Sequence, residues 1–145
     1  MEIVIYSDSD VEEMKINIYC RKLTPELERV VAVLKMLEQK LTGIYEGETC
    51  FLDPDKVLYI DTADKKTFLY TTDKVYETAL KLYELEEQLR PWDFIRVSKS
   101  AVVNFARVRS LRPDFGGRMR LSMSNGEVVV ANRQYVPAIK AKLGM

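Results

Sequence analysis

The chain has 145 residues, 22 basic and 22 acidic side chains, 47% hydrophobic residues and no histidine, the profile of one soluble globular domain with room for a small appendage. The missing histidine removes the usual general base, every Ser-His-Asp or Cys-His nucleophile pair and the commonest metal ligand, and Cys20 and Cys50 alone do not make a zinc finger. No apolar run approaches the ~20 residues of a membrane helix and residues 1–10 lack the order of a secretory signal, which makes the cytoplasm the expected address.

The N-terminal part opens with two predicted strands, 3–6 and 14–20, separated by an acidic turn. In the second, Ile16, Ile18 and Cys20 share one face, and period-two alternation predicts a strand. Thr24 then offers an N-cap, Pro25 the first helical position, and Glu26 and Glu28 complement the positive helix terminus. Leu27, Val30, Val31, Leu34, Leu37 and Leu41 extend one apolar stripe as far as Thr42 and Gly43. That stripe is expected on the sheet of the same chain, with the same helix of a second chain as the alternative.

From Gly43 onward short strands dominate, predicted at 44–45, 49–52, 57–60, 67–71 and 74–80. A short helix over 82–89 ends at Arg90 and Pro91. Strands follow at 94–97, 102–103, 108–111, 118–123 and 127–131, before a short basic helix at 136–143. Asn125-Gly126 reads as the strongest hairpin signal, a type I′ turn with positive φ at both central residues.

The balanced total charge conceals a division. Residues 1–90 carry 12 basic and 19 acidic side chains, whereas 91–145 carry 10 basic and only Asp93, Asp114 and Glu127 as acids. Such asymmetry suggests a polyanionic partner, or else two halves that neutralise one another within one fold.

The order of features from Leu52 to Leu143 resembles the LytTR family of bacterial DNA-binding domains. The resemblance is carried by the strand 57–61, the leucine-containing helix 82–89, and above all by Phe94, Arg96, Val97, Ser98, Lys99, Ser100, Val103 and Asn104. Asn125-Gly126 followed by 128–133 resembles the family's closing hairpin. Two positions depart from the pattern: Ser98 stands where the family usually has histidine, and Asn132 where it usually has serine before the final arginine.

The resemblance implies a mainly β, elongated arrangement of small antiparallel sheets with short helices over 51–145. Residues 1–50 then form a strand-helix appendage in place of a phosphoacceptor receiver domain. It further implies a stand-alone, non-enzymatic transcriptional regulator that reads double-stranded DNA at repeated sites. The expected assembly is a homodimer, with a membrane protein as a possible regulatory partner and neither cofactor, metal nor small-molecule substrate. Three loops are expected on DNA: Lys65, Lys66 and Thr67; Ser98, Lys99 and Ser100; and Asn132, Arg133 and Gln134. Lys99 and Arg133 are assigned to base edges, where a guanidinium or ammonium meets guanine acceptors, and Lys65, Lys66 and Ser100 to phosphate. The alternative is an interaction module docking an acidic partner through its basic half.

Overall fold

The computed structural model describes all 145 residues. Thr24 caps α1 (Pro25–Leu37), its Oγ1 accepting from the Leu27 N–H at 3.2 Å. The helix stops earlier than its apolar stripe predicts, because Gln39 adopts φ 62°. Leu41 therefore continues the pattern from a strand, buried in the sheet core. Residues 1–23 form no strand, contrary to the expectation at 3–6 and 14–20. Alternation supplies a strand's side-chain pattern but not its ladder, and no neighbouring segment of the chain offers one.

Seven antiparallel strands make the main sheet. In chain order they are β1 (Leu41–Tyr45), β2 (Glu48–Leu52), β3 (Tyr59–Ala63), β4 (Lys66–Tyr70), β5 (Val75–Thr78), β6 (Phe94–Ser98) and β7 (Ala101–Asn104), arranged across the sheet as β2-β1-β5-β4-β3-β7-β6. The β1–β2 hairpin crosses position 50 and joins the sheet through the pairing of Ile44 with Glu77. A second sheet has the order β10-β9-β8, from β8 (Val108–Pro113), β9 (Met119–Met123) and β10 (Val128–Ala131). The expected mainly β, antiparallel fold class is present.

Period-two alternation sends successive residues of the main sheet into two cores. Ile60, Leu69, Phe94 and Val102 face α1 and α2 (Leu82–Gln88), meeting Ala32, Leu82 and Leu85. Ile95, Val97 and Val103 face the second sheet and α3 (Val136–Lys142), meeting Met119, Leu121, Ala131 and Ile139. The result is three layers, with the main sheet covered on both faces. Helix α1 contributes only Ala32 as a fully buried residue, and Val33 and Leu37 remain exposed.

Turn chemistry differs from the expectation at one hairpin. Asn125 accepts from the Glu127 N–H through its side chain, and only Gly126 has positive φ, so the β9–β10 connection is not type I′. Positive φ at both central residues occurs instead at Glu46-Gly47 and Asp64-Lys65, the β1–β2 and β3–β4 turns.

Asn104 ties the layers together. Its Nδ2 donates to the Val57 carbonyl at 2.9 Å and its Oδ1 accepts from the Ala106 N–H at 3.1 Å, at 1% exposure. Asn104→Ala orphans both backbone partners, and chemical denaturation is expected to show a loss of about 1–3 kcal/mol.

On the face toward the second sheet, Tyr59 stacks on Tyr70 at 4.4 Å and donates its hydroxyl to Glu127 at 2.7 Å. Burial pushes the Tyr70 phenol up to about 12 and raises the neighbouring Asp61 carboxyl, one of whose oxygens is buried without a partner. Because Asp61 binds its proton more tightly folded than unfolded, stability falls as pH rises through the window above its ordinary pKa of 3.8. Asp61→Asn removes that penalty. Calorimetry should find the variant melting above the wild type at pH 7, with the gap closing as the pH falls below about 4.

Candidate nucleic-acid interface

The turn between β6 and β7 is held from within. Pairing of the two strands shifts register between Arg96 and Ser98, and the Ser98 and Lys99 carbonyls find their partner in a side chain of β6. Arg96 meets both, with Nε 2.7 Å from the Ser98 oxygen and Nη2 2.7 Å from the Lys99 oxygen. Its Nη1 donates to Glu86 of α2 at 3.3 Å. Ser100 closes the turn by donating its N–H to Ser98 Oγ at 3.2 Å, while its carbonyl accepts from the Thr62 N–H at 2.9 Å. With the backbone satisfied inward, the side chains of Lys99 and Ser100 face solvent.

The end of β10 meets this turn through one bond, from the Asn132 N–H to the Val97 carbonyl at 2.9 Å. A single 3₁₀ turn over Arg133–Tyr135 then leads into α3, which is anchored by buried Ile139. Ser98, Lys99, Ser100, Asn132, Arg133 and Gln134 thereby line one open cleft of about 420 Å³ with no hydrophobic side chain in its wall. All six lie in the two loops that the sequence singles out, 98–100 and 132–134.

The third loop stands apart from the cleft. Lys65 and Lys66 are exposed at the β3–β4 turn, at the end of the sheet where Thr62 bonds Ser100, and Lys66 Nζ lies 3.8 Å from Glu77. Thr67 is 4% exposed and turned into the sheet's interior. Alternation along β4 sends it opposite to its neighbour, so its side chain does not join the other site residues.

Two contributions were not apparent in the chain order. Arg96 appears there as one residue of a signature, yet its guanidinium positions the turn. In the sequence, 113–117 reads as a turn among Arg107, Arg109, Arg112, Arg118 and Arg120, a basic group that could line a backbone-contacting edge or pair with the acidic half, with no sign that the turn itself reaches Arg133. Met119 pairs with both Pro113 and Ala131, which carries that turn alongside the end of β10. A Cβ on Gly117 would fall 2.8 Å from Arg133 Cδ, so the bare glycine lets the turn rest on the aliphatic stem of Arg133. Phe115, 85% exposed, projects from this turn. The turn is braced by Asp114 Oδ1 accepting from the Phe115 N–H and by Arg118 Nε donating to the Phe115 carbonyl.

The charge division survives folding. Lys99, Arg109, Arg112, Arg118, Arg120 and Arg133 take part in no ion pair, and of the basic half only Arg96 bridges to an acidic residue. The acidic half pairs with its own cations, as at Arg29 and Glu84, where the paired guanidinium holds the Glu84 carboxyl below its usual range. A field of unpaired cations beside a polar cleft suits a phosphate backbone.

Comparison with known proteins decides the family: residues 47–144 match the model of the LytTr DNA-binding domain. The chain belongs to the LytTR family. The solved LytTr DNA-binding domain of a methyl-accepting/DNA response regulator from Bacillus cereus is similar over 74% of this chain and 98% of that one, with TM-score 0.69 and 30% identity. An uncharacterized HTH-type transcriptional regulator of Staphylococcus aureus strain NCTC 8325 is 25% identical, over 100% of this chain and 99% of that protein. Its counterpart in strain MRSA252 is 24% identical over the same shares. In the present chain α1, α2 and α3 are separated by strands, so this LytTR protein contains no pair of α-helices joined by a short turn.

Arg96→Lys keeps the charge but cannot span Ser98, Lys99 and Glu86 at once. The variant is expected to lose about tenfold in duplex affinity by fluorescence anisotropy (about 1.4 kcal/mol) although Arg96 does not line the cleft.

Proposed function

We propose that this LytTR protein is a sequence-specific transcriptional regulator, acting in the cytoplasm as a dimer on repeated DNA sites. The observation that carries the reading is the polar cleft: two loops far apart in sequence meet there, each bringing one unpaired cation, Lys99 and Arg133. In this reading Arg133 and Lys99 meet base edges, Arg133 by a bidentate pair to guanine O6 and N7. Lys65, Lys66 and Ser100 meet phosphate, Ser98, Asn132 and Gln134 complete the polar contacts, and Thr67 holds the β3–β4 turn rather than touching DNA. Gly117 sets the height at which the Arg133 stem lies, and the exposed ring of Phe115, two residues earlier in the same turn, is assigned to the sugar wall of a groove.

Gel shifts with the protein's own upstream region and a scrambled duplex test this. Arg133→Ala is expected to lose roughly 1–3 kcal/mol on the specific site and to relax base preference. Lys66→Ala is expected to weaken both duplexes alike and to reduce the salt slope by about one. An Arg133→Ala protein that still binds its specific site with wild-type affinity contradicts the assignment. Equal binding of both duplexes by the wild type favours the docking of an acidic partner instead.

A further inference from the structure

The first 23 residues have no place in the monomer's cores. Met1, Ile3, Val4, Ile5, Tyr6, Val11, Met14, Ile16, Ile18, Tyr19 and Leu23 are all exposed, Tyr6 and Tyr19 by nine-tenths or more. The whole chain exposes 10299 Å², whereas a compact monomer of 16.8 kDa is expected to expose about 7,700 Å². The excess is about 2,600 Å² per chain. A two-fold contact that hides half of it on each copy buries about 2,600 Å² in total, within the span of obligate homodimers.

The sequence of the arm says how. Residues 14–20 alternate Met14, Ile16, Ile18 and Cys20 with Lys15, Asn17 and Tyr19, a strand pattern that finds no ladder in its own chain. Antiparallel pairing of this segment with itself about Asn17 sets Met14 opposite Cys20 and Ile16 opposite Ile18 of the other copy. Every apolar residue then faces an apolar partner on one side of a two-stranded ribbon, and Lys15, Asn17 and Tyr19 share the other side. Such a ribbon is marginal alone and needs a surface beneath its apolar side. Helix α1, joined to the arm at Thr24, offers one, since Val33 and Leu37 are exposed and Leu27, Val30, Val31 and Leu34 are only half-buried.

We infer that residues 14–20 of two copies pair antiparallel about Asn17 and close over the outer faces of both α1 helices, forming the regulator's dimer. This deepens the dimeric part of the proposed function and leaves the DNA cleft untouched.

Cysteine cross-linking of the full chain in a Cys20→Ser, Cys50→Ser background tests the register. At Asn17→Cys the two thiols sit directly opposite across the two-fold axis, within disulfide reach. At Lys15→Cys they are separated by about 14 Å along the ribbon. Mild oxidation is expected to give at least about tenfold more disulfide dimer from Asn17→Cys than from Lys15→Cys. Sedimentation should find the wild type dimeric and Ile16→Asp/Ile18→Asp monomeric with an unchanged near-ultraviolet signal from Trp92, because both isoleucines lie outside the monomer cores. A monomeric wild type, equal cross-linking at 15 and 17, or a dimer that survives the double aspartate variant overturns the proposal. DNA binding is measured separately by anisotropy: specific binding without the cross-link sinks the arm pairing alone, and the cross-link without specific binding sinks the cleft reading alone.

Discussion

The structure depends on one strand, β6, being buried on both faces. Phe94 faces the helical layer, while Ile95 and Val97 face the second sheet. Because β6 is shared, the Val97 carbonyl can accept from Asn132 and bring β10 against the β6–β7 turn. Without that shared strand the two halves of the polar cleft belong to separate layers with no fixed spacing. Recognition of DNA by side chains requires such spacing, since a bidentate contact fails when its donor is displaced by about an ångström.

The electrostatics follow from the same construction. Acidic residues in the helical layer pair among neighbours, as Arg29 with Glu84 and Arg90 with Glu87, while the cations of the second sheet stay unpaired. Arg96 is the exception, reaching from β6 to Glu86 and using its remaining donors to shape the Lys99 turn. One guanidinium thus connects the helical layer to the cleft.

Much of this was legible in the sequence. The strands from Lys66 onward follow their alternation to within a residue or two, and the resemblance singled out the two loops, 98–100 and 132–134, that hold all six cleft residues. What was missed depends on long-range pairing. The 114–118 turn reaches Arg133 only because Met119 sits between Pro113 and Ala131 in the register. Leu41 fits the helical stripe in spacing, yet the positive φ of Gln39 moves it to a strand. Thr67 follows two lysines in sequence but lies on the opposite face of β4, where it is buried. Residues 14–20 have a strand's pattern without an intramolecular ladder, which is why a monomer leaves them exposed.

In the proposed function the double helix lies in the cleft between the 98–100 turn and the 132–134 turn. Amide chemical shifts followed by NMR during titration with a duplex from the protein's own upstream region test this most directly. DNA seated in the cleft shifts Lys99, Ser100, Arg133 and Gln134 most, with smaller changes at Lys65, Lys66 and 115–118. Largest changes on α1 and α2, with the cleft amides unmoved, contradict it.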